Sequence, residues 1–308
     1  LCEPSATVAA MAAVAVAGAA TAQVSVTGAL GFGWEGVSPA VGGSTTGIKV
    51  TDGNVKFSAS EDLGGGMSVL TAMDIQSRGR DTTIAGRDAS ITLVTGFGGF
   101  TLGAVEAGNG IIGLGGAGAP VIGLDGNTAG TGSGVLDGGV NVNIAKYSLP
   151  LGNGIGISVA RTDAANALKG TNAGNTYGAT YSMNAISAAF DYTDAALAKR
   201  TRVSGSYDLG VAKLGAGYQT RKGKGASSAF GTNKQTVLGV SAPYGAFTFG
   251  LNYSTNKQST ASISNKGTDV GVSYALSKRT NVYAQMQSVT IGTGDASKTT
   301  RVKMVTSF

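Results

Sequence analysis

From Gln23 onward the chain alternates apolar and small polar residues one by one. Phe247, Phe249, Leu251 and Tyr253 are interleaved with Thr248, Gly250, Asn252 and Ser254. The same two-residue period recurs at Tyr177, Ala179, Tyr181 and Met183, at Val203, Gly205, Tyr207 and Leu209, at Leu214, Ala216 and Tyr218, and at Val270, Val272, Tyr274 and Leu276. Successive side chains of a strand point to opposite faces, so each segment has one apolar face and one face of Gly, Ser, Thr and Ala. A soluble sandwich also alternates, but its inner face must fill a dense core. An apolar face against lipid and a polar face around water account for both rows, and such a sheet must close on itself because hydrocarbon leaves no partner for an open edge.

Segments of this kind fall near 24–34, 52–61, 67–77, 87–96, 99–105, 139–149, 154–162, 175–183, 186–193, 200–209, 211–220, 235–242, 246–255, 268–276, 280–289 and 299–308. The predicted fold is therefore all-β, a transmembrane antiparallel β-barrel of about 16 strands over residues 23–308. Short connections (62–66, 97–98, 151–153, 184–185, the Gly210 junction, 243–245 and 277–279) alternate with long ones at 35–51, 78–86, 106–138, 163–174, 221–234, 256–267 and 290–298. That is the arrangement of periplasmic turns and external loops. A β-solenoid would need a fixed repeat length, and the spacing here varies.

Composition narrows the chemistry. Glycine accounts for 51 of 308 residues, with 5 prolines, 1 cysteine and 0 histidines, which excludes His-based acid/base catalysis, His-Cys zinc sites and a disulfide framework. No enzyme activity, metal or other cofactor is expected. Charged residues make up 13%, about half the usual share, and the net charge of +6 is dispersed rather than gathered into a basic patch, which argues against a nucleic-acid partner. Residues 8–22, VAAMAAVAVAGAATA, read as the apolar core and A-x-A end of a signal peptide, so 1–22 is expected to be a targeting remnant, although LCEPSAT lacks the basic start. Gly113-Leu114-Gly115-Gly116-Ala117-Gly118 has the G-x-G-x-x-G spacing of a dinucleotide loop, but glycine continues to Gly138 and opposes the helix such a site requires. Asp125-Gly126-Asn127 has too few carboxylates around it for calcium.

Glu61-Asp62-Leu63-Gly64-Gly65-Gly66-Met67, Leu276-Ser277-Lys278-Arg279-Thr280 with Tyr283, Lys146-Tyr147 within 143–150, and the terminal Phe308 resemble the general porins of Gram-negative outer membranes, the betaproteobacterial type in particular. The resemblance implies a sixteen-stranded homotrimeric barrel in the outer membrane whose third external loop, 106–138, folds inward as a constriction. It implies a passive water-filled channel for small hydrophilic solutes and ions. Its partners would be outer-membrane lipid, lipopolysaccharide, further copies of itself and the outer-membrane insertion machinery, which would read Phe308 as an assembly signal. Two positions depart from the family pattern: Gly103-Ala104 stands where it has Gly-Arg, and Asn54 where an inward arginine is common.

Strand parity then sorts the charges. Lys56 is expected inward with Asn54 and Ser58, and Arg78 and Arg80 at the upper end of the third strand's inward set with Asp74. Lys146 follows the family register, although the alternation around Val142 and Ile144 reads either way. Arg200, Arg202, Lys213, Arg301 and Lys303 also fall on the inward parity, opposed mainly by Asp191, Asp208 and Asp269, while Arg161 shares the outward parity. Glu106, Asp125 and Asp137 are the acids of the candidate constriction loop. The expected pore is net positive and moderately anion-preferring, with Lys56, Arg78, Arg80 and Lys146 as its narrowest ring.

Overall fold

The computed structural model describes residues 23–80, 83–107, 140–164, 173–260 and 264–308. Its strands are β1 Gln23–Ser38, β2 Thr45–Gly64, β3 Met67–Gln76, β4 Ala85–Thr95, β5 Gly98–Ala107, β6 Val140–Gly152, β7 Ile155–Ala164 and β8 Gly174–Met183. The second half continues with β9 Ile186–Ala195, β10 Ala198–Asp208, β11 Lys213–Gly223, β12 Thr232–Tyr244, β13 Phe247–Gln258, β14 Ser264–Ala275, β15 Thr280–Thr290 and β16 Ala296–Ser307. Each pairs antiparallel with its sequence neighbours, and β1 pairs with β16, closing the barrel. At the seam the Phe308 amide donates to the Gly28 carbonyl at 3.0 Å and the Gly28 amide to the Phe308 carbonyl at 2.9 Å. No edge is left open, as hydrocarbon requires.

The polarity of the wall is the reverse of a soluble protein's. Leu30, Phe32, Leu102, Phe190, Leu238, Leu251, Met286 and Val302 are exposed on the outside, whereas Gln219, Gln235, Asn252, Ser254 and Asp269 are buried on the inside. Tight turns join the strands at one end, where Asn184 takes φ 55° and Gly210 φ 80°, left-handed values that Asn and Gly tolerate. The other end carries the longer connections, apart from the two residues 196–197 between β9 and β10.

Several expected loops are shorter than the sequence pattern suggests, among them 256–267, where β13 runs on to Gln258 and β14 begins at Ser264, and 290–298, where β16 begins at Ala296. The expected loop 35–51 shrinks to 39–44, because β1 runs on to Ser38 and β2 begins at Thr45. The expected loop 221–234 shrinks to 224–231 and contains a 3-10 turn, Gly225–Phe230. Apolar residues stop marking the strand there because the wall continues beyond the hydrocarbon, where backbone pairing goes on without an apolar face.

β2 contains a bulge. Register passes from Gly31↔Asp52 to Phe32↔Val50, leaving Thr51 as the extra residue. A bulge of one residue shifts the inward parity of everything beyond it. Lys56, Asn54 and Asp52 face inward below Thr51, and Lys49 faces inward above it.

Candidate pore lining

The interior wall carries two compact groups of charge. The first spans β16, β1 and β2. Arg301 Nε donates to Glu35 Oε2 at 2.8 Å, with a second close contact from its Nη2, and Lys49 Nζ reaches Glu35 Oε1 at 2.7 Å. Lys303 Nζ donates to Asp52 Oδ2 at 3.0 Å and lies 5.5 Å from the centre of the Tyr283 ring, while Thr51 Oγ1 donates to the same Asp52 oxygen at 2.7 Å. Glycine makes this crowding possible: a Cβ at Gly31 would stand 2.3 Å from Asp52 Oδ2, and one at Gly33 would stand 2.6 Å from Lys303 Cβ. Glu35 and Lys49 are absent from the sequence-based lining because the apolar signal fades before Glu35 and the bulge reverses the parity of Lys49, whereas Asp52, on the parity of Asn54 and Lys56, could have been read from the same alternation.

The second group spans β9 to β14. Arg202 Nε donates to both Asp191 oxygens, at 3.0 and 2.9 Å, with Nη2 on Oδ2 as well. Both side chains are buried, with 9% and 5% of their surface exposed. Across the register lie Gln219 and Gln235, the Nε2 of the first donating to the Oε1 of the second at 3.2 Å, followed by Asn256 and Asn265. This row of amides and one ion pair runs over six strands on the inner face.

Other expected lining residues are placed singly. Lys56 lies inward on β2 opposite Asp74 of β3. Lys146 lies on the inward parity of β6 with Val142, which is 3% exposed, and its register neighbours are Thr101 and Ala160. Those neighbours are uncharged. Arg200 faces Arg221 across β10 and β11 on the inward parity, and Lys213 faces Asp208 at the tight-turn end. Arg78 packs in the connection after β3, where a Cβ on Gly53 would lie 3.6 Å from its Cα, and Arg80 is exposed further along the same connection. Arg161 points outward and donates to Asn175 Oδ1 at 3.3 Å.

Three placements change the charge picture. Arg301 and Lys303, expected to add to a positive ring, are each joined to a carboxylate, and so is Arg202. Glu106 ends β5 on the parity of the outward Phe100 and Leu102 and lies 3.3 Å from Arg87. Asp125 and Asp137 lie outside the described residues, as does most of 106–138 and the segment 1–22. Among the described residues no group of His, Cys, Asp and Glu has the makings of a metal site.

The sequence matches the Gram-negative porin family over residues 6–293. No curated protein matches it. Solved structures similar to this one include an anion-selective porin from Comamonas acidovorans, with 19% identity and a TM-score of 0.75 over 94% of this chain and 100% of that one. A loop-deletion variant of OmpT from Vibrio cholerae gives 14% identity and a TM-score of 0.71 over 93% and 99%. A triple mutant of the Rhodopseudomonas blastica porin gives 15% and 0.66 over 93% and 100%.

Proposed function

We propose, starting from the fact that this chain belongs to the Gram-negative porin family and forms a β-barrel channel of the outer membrane, that it is a passive, water-filled pore for small hydrophilic solutes with a moderate preference for anions. The observation that carries this reading is the inverted wall: apolar side chains outside and amides, hydroxyls and charges inside a closed sheet. The anion preference rests on Lys146, which has no acid across the register, and on the facing arginines Arg200 and Arg221 of the inward parity, with Arg78 and Arg80 in the connection after β3 adding positive charge. Lys56, Lys213, Arg202, Arg301 and Lys303 line the wall but contribute little net field, since Asp74, Asp208, Asp191, Glu35 and Asp52 stand against them. The Comamonas acidovorans protein's description as anion-selective agrees in direction, and at 19% identity its weight is that of a shared fold.

The segment 106–138, with Asp125 and Asp137, is the constriction in this reading, and Glu106 anchors its start from the rim. The working assembly is a homotrimer, and the outer face of β1 to β5 suits a second copy: a groove of about 600 Å³ there is lined by Val24, Phe57, Ala59, Met73, Ile91 and Leu102. The deciding experiment is the reversal potential of single channels in a planar bilayer under a potassium chloride gradient. A potential of the sign for chloride preference is expected, and potassium preference would overturn the selectivity.

A further inference from the structure

Near the long-connection end of the second half, one row of the inner wall carries positive charge and no acid. Across the register it reads Thr193 on β9, Arg200 on β10, Arg221 on β11, Asn233 on β12 and Gln258 on β13. These positions share the inward parity of Arg202, Gln219, Gln235 and Asn256, which form the next row toward the turn end. The carboxylate of that next row, Asp191, is already held by Arg202. Asp194 follows Thr193 in sequence but lies on the outer face, against Lys199 and Lys224.

Arg200 and Arg221 stand directly opposite each other, a relation that puts Cβ atoms about 4.5–5.5 Å apart. Arg221 is exposed and forms no ion pair among the described residues. Like charges facing each other across a strand pair destabilise the sheet unless an anion lies between them. A guanidinium presents its N–H donors as a planar fork that takes two oxygens of a phosphoryl group at once, so two forks at this spacing converge on one compact dianion. Chloride has no oxygens to fork, and an extended dicarboxylate holds its charges too far apart to place both within one such pair. The connections above this row are short or tied to the wall. Only residues 196–197 join β9 to β10. At the start of the 224–231 connection the Lys224 amide donates to the Leu197 carbonyl at 2.8 Å, and Lys224 Nζ donates to the Ala195 carbonyl at 3.0 Å and to Asp194.

We infer that Arg200 and Arg221 form a capture site for a tetrahedral dianion of the phosphate class at the outer mouth of the pore. The inference deepens the anion-channel reading and rests on it, because that reading puts the long-connection end outside and this row in water. Asn233 and Gln258 flank the pair with amide donors on the β12 and β13 side. Low-dielectric walls focus the field of the two guanidinium groups, so phosphate is concentrated where solute enters and its flux saturates at a low outside concentration.

The test titrates inorganic phosphate, above neutral pH where it is mostly dianionic, into the folded barrel in neutral detergent with a calorimetric readout. Arg221→Gln is expected to weaken binding at least tenfold, and Arg221→Lys, which keeps the charge but loses the fork, at least threefold. Lys278→Gln, in an exposed turn at the opposite end, should change affinity less than twofold. Succinate should bind wild type at least tenfold more weakly than phosphate. Phosphate should also raise the temperature at which wild type loses its fast-migrating band in detergent gels and leave that of Arg221→Gln in place. The fast-migrating band of the unheated variant shows that it is folded. Equal phosphate affinity of wild type and Arg221→Gln overturns the site, and Arg221→Lys binding as tightly as wild type overturns the guanidinium fork. Succinate binding as tightly as phosphate overturns the choice of ligand. Single channels in a planar bilayer report on the premise separately. Phosphate on the long-connection side should lower the wild-type chloride current saturably, and a wild type that binds phosphate in detergent but conducts no ions would count against the channel and not against this site.

Discussion

Lys146 and Arg202 illustrate two kinds of inward cation. Lys146 sits between Thr101 and Ala160, so its field reaches the lumen without an opposing carboxylate across the register. Replacing it with Glu reverses a charge in a water-filled space, and the zero-current potential should move toward cation preference, more at 0.01 M salt, where the Debye length is about 30 Å, than at 1 M, where it is about 3 Å. Arg202 is different, because its guanidinium holds a buried carboxylate by several hydrogen bonds. Arg202→Met should cost stability, since an unpaired buried carboxylate is worth about 3–5 kcal/mol of destabilisation, whereas removing the pair as a whole by adding Asp191→Asn should leave selectivity nearly unchanged. The temperature at which the folded barrel loses its fast-migrating band in detergent gels should fall for Arg202→Met. The double variant with Asp191→Asn should recover most of the loss; a double variant as labile as the single one would show that the carboxylate is not the cause.

At the scale of single strands, β2 and β16 set what their neighbours can do. Deleting Thr51 removes the bulge while keeping Asp52 opposite Gly31 and Val50 opposite Phe32, so Lys49 stays inward with its 2.7 Å contact to Glu35 and only the hydrogen bond from Thr51 to Asp52 is lost. The expected result is a folded barrel with somewhat lower thermal stability and wild-type ion selectivity, checked by gel mobility and bilayer recording together; a changed reversal potential would mean that Lys49 had turned. β16 ends in Phe308, whose backbone pairs with Gly28 and whose ring occupies the space where a Gly28 Cβ would lie, 2.5 Å from the ring edge. Deleting Phe308 removes two seam hydrogen bonds and, in the assembly-signal reading, the feature that insertion recognises. Surface assembly in cells should drop severalfold, while Val41→Ser in the exposed 39–44 connection should leave it unchanged. Equal assembly of the two variants would remove the signal role.

For the whole molecule, closure and inverted polarity are two aspects of one constraint, because a sheet immersed in hydrocarbon must satisfy every backbone group internally and keep its polar side chains on the enclosed face. Circular dichroism of the purified protein should accordingly be dominated by β-structure. A loop deletion inside 106–138 should raise single-channel conductance if that segment narrows the lumen, and unchanged conductance would remove it as the constriction. The sequence by itself determined the strand count, the inward and outward faces of most strands and the membrane class, because alternation with period two is written residue by residue and survives without knowing any neighbour. Tertiary structure alone decided the pairing of charges. Arg301 is 266 residues from Glu35 and Lys303 is 251 from Asp52, so their contacts exist solely because β16 closes against β1 and a bulge in β2 turns Asp52 and Lys49 to one side. Parity can say which way a side chain points, but the field inside a pore depends on which charges meet, and that follows from the register of strands remote in sequence.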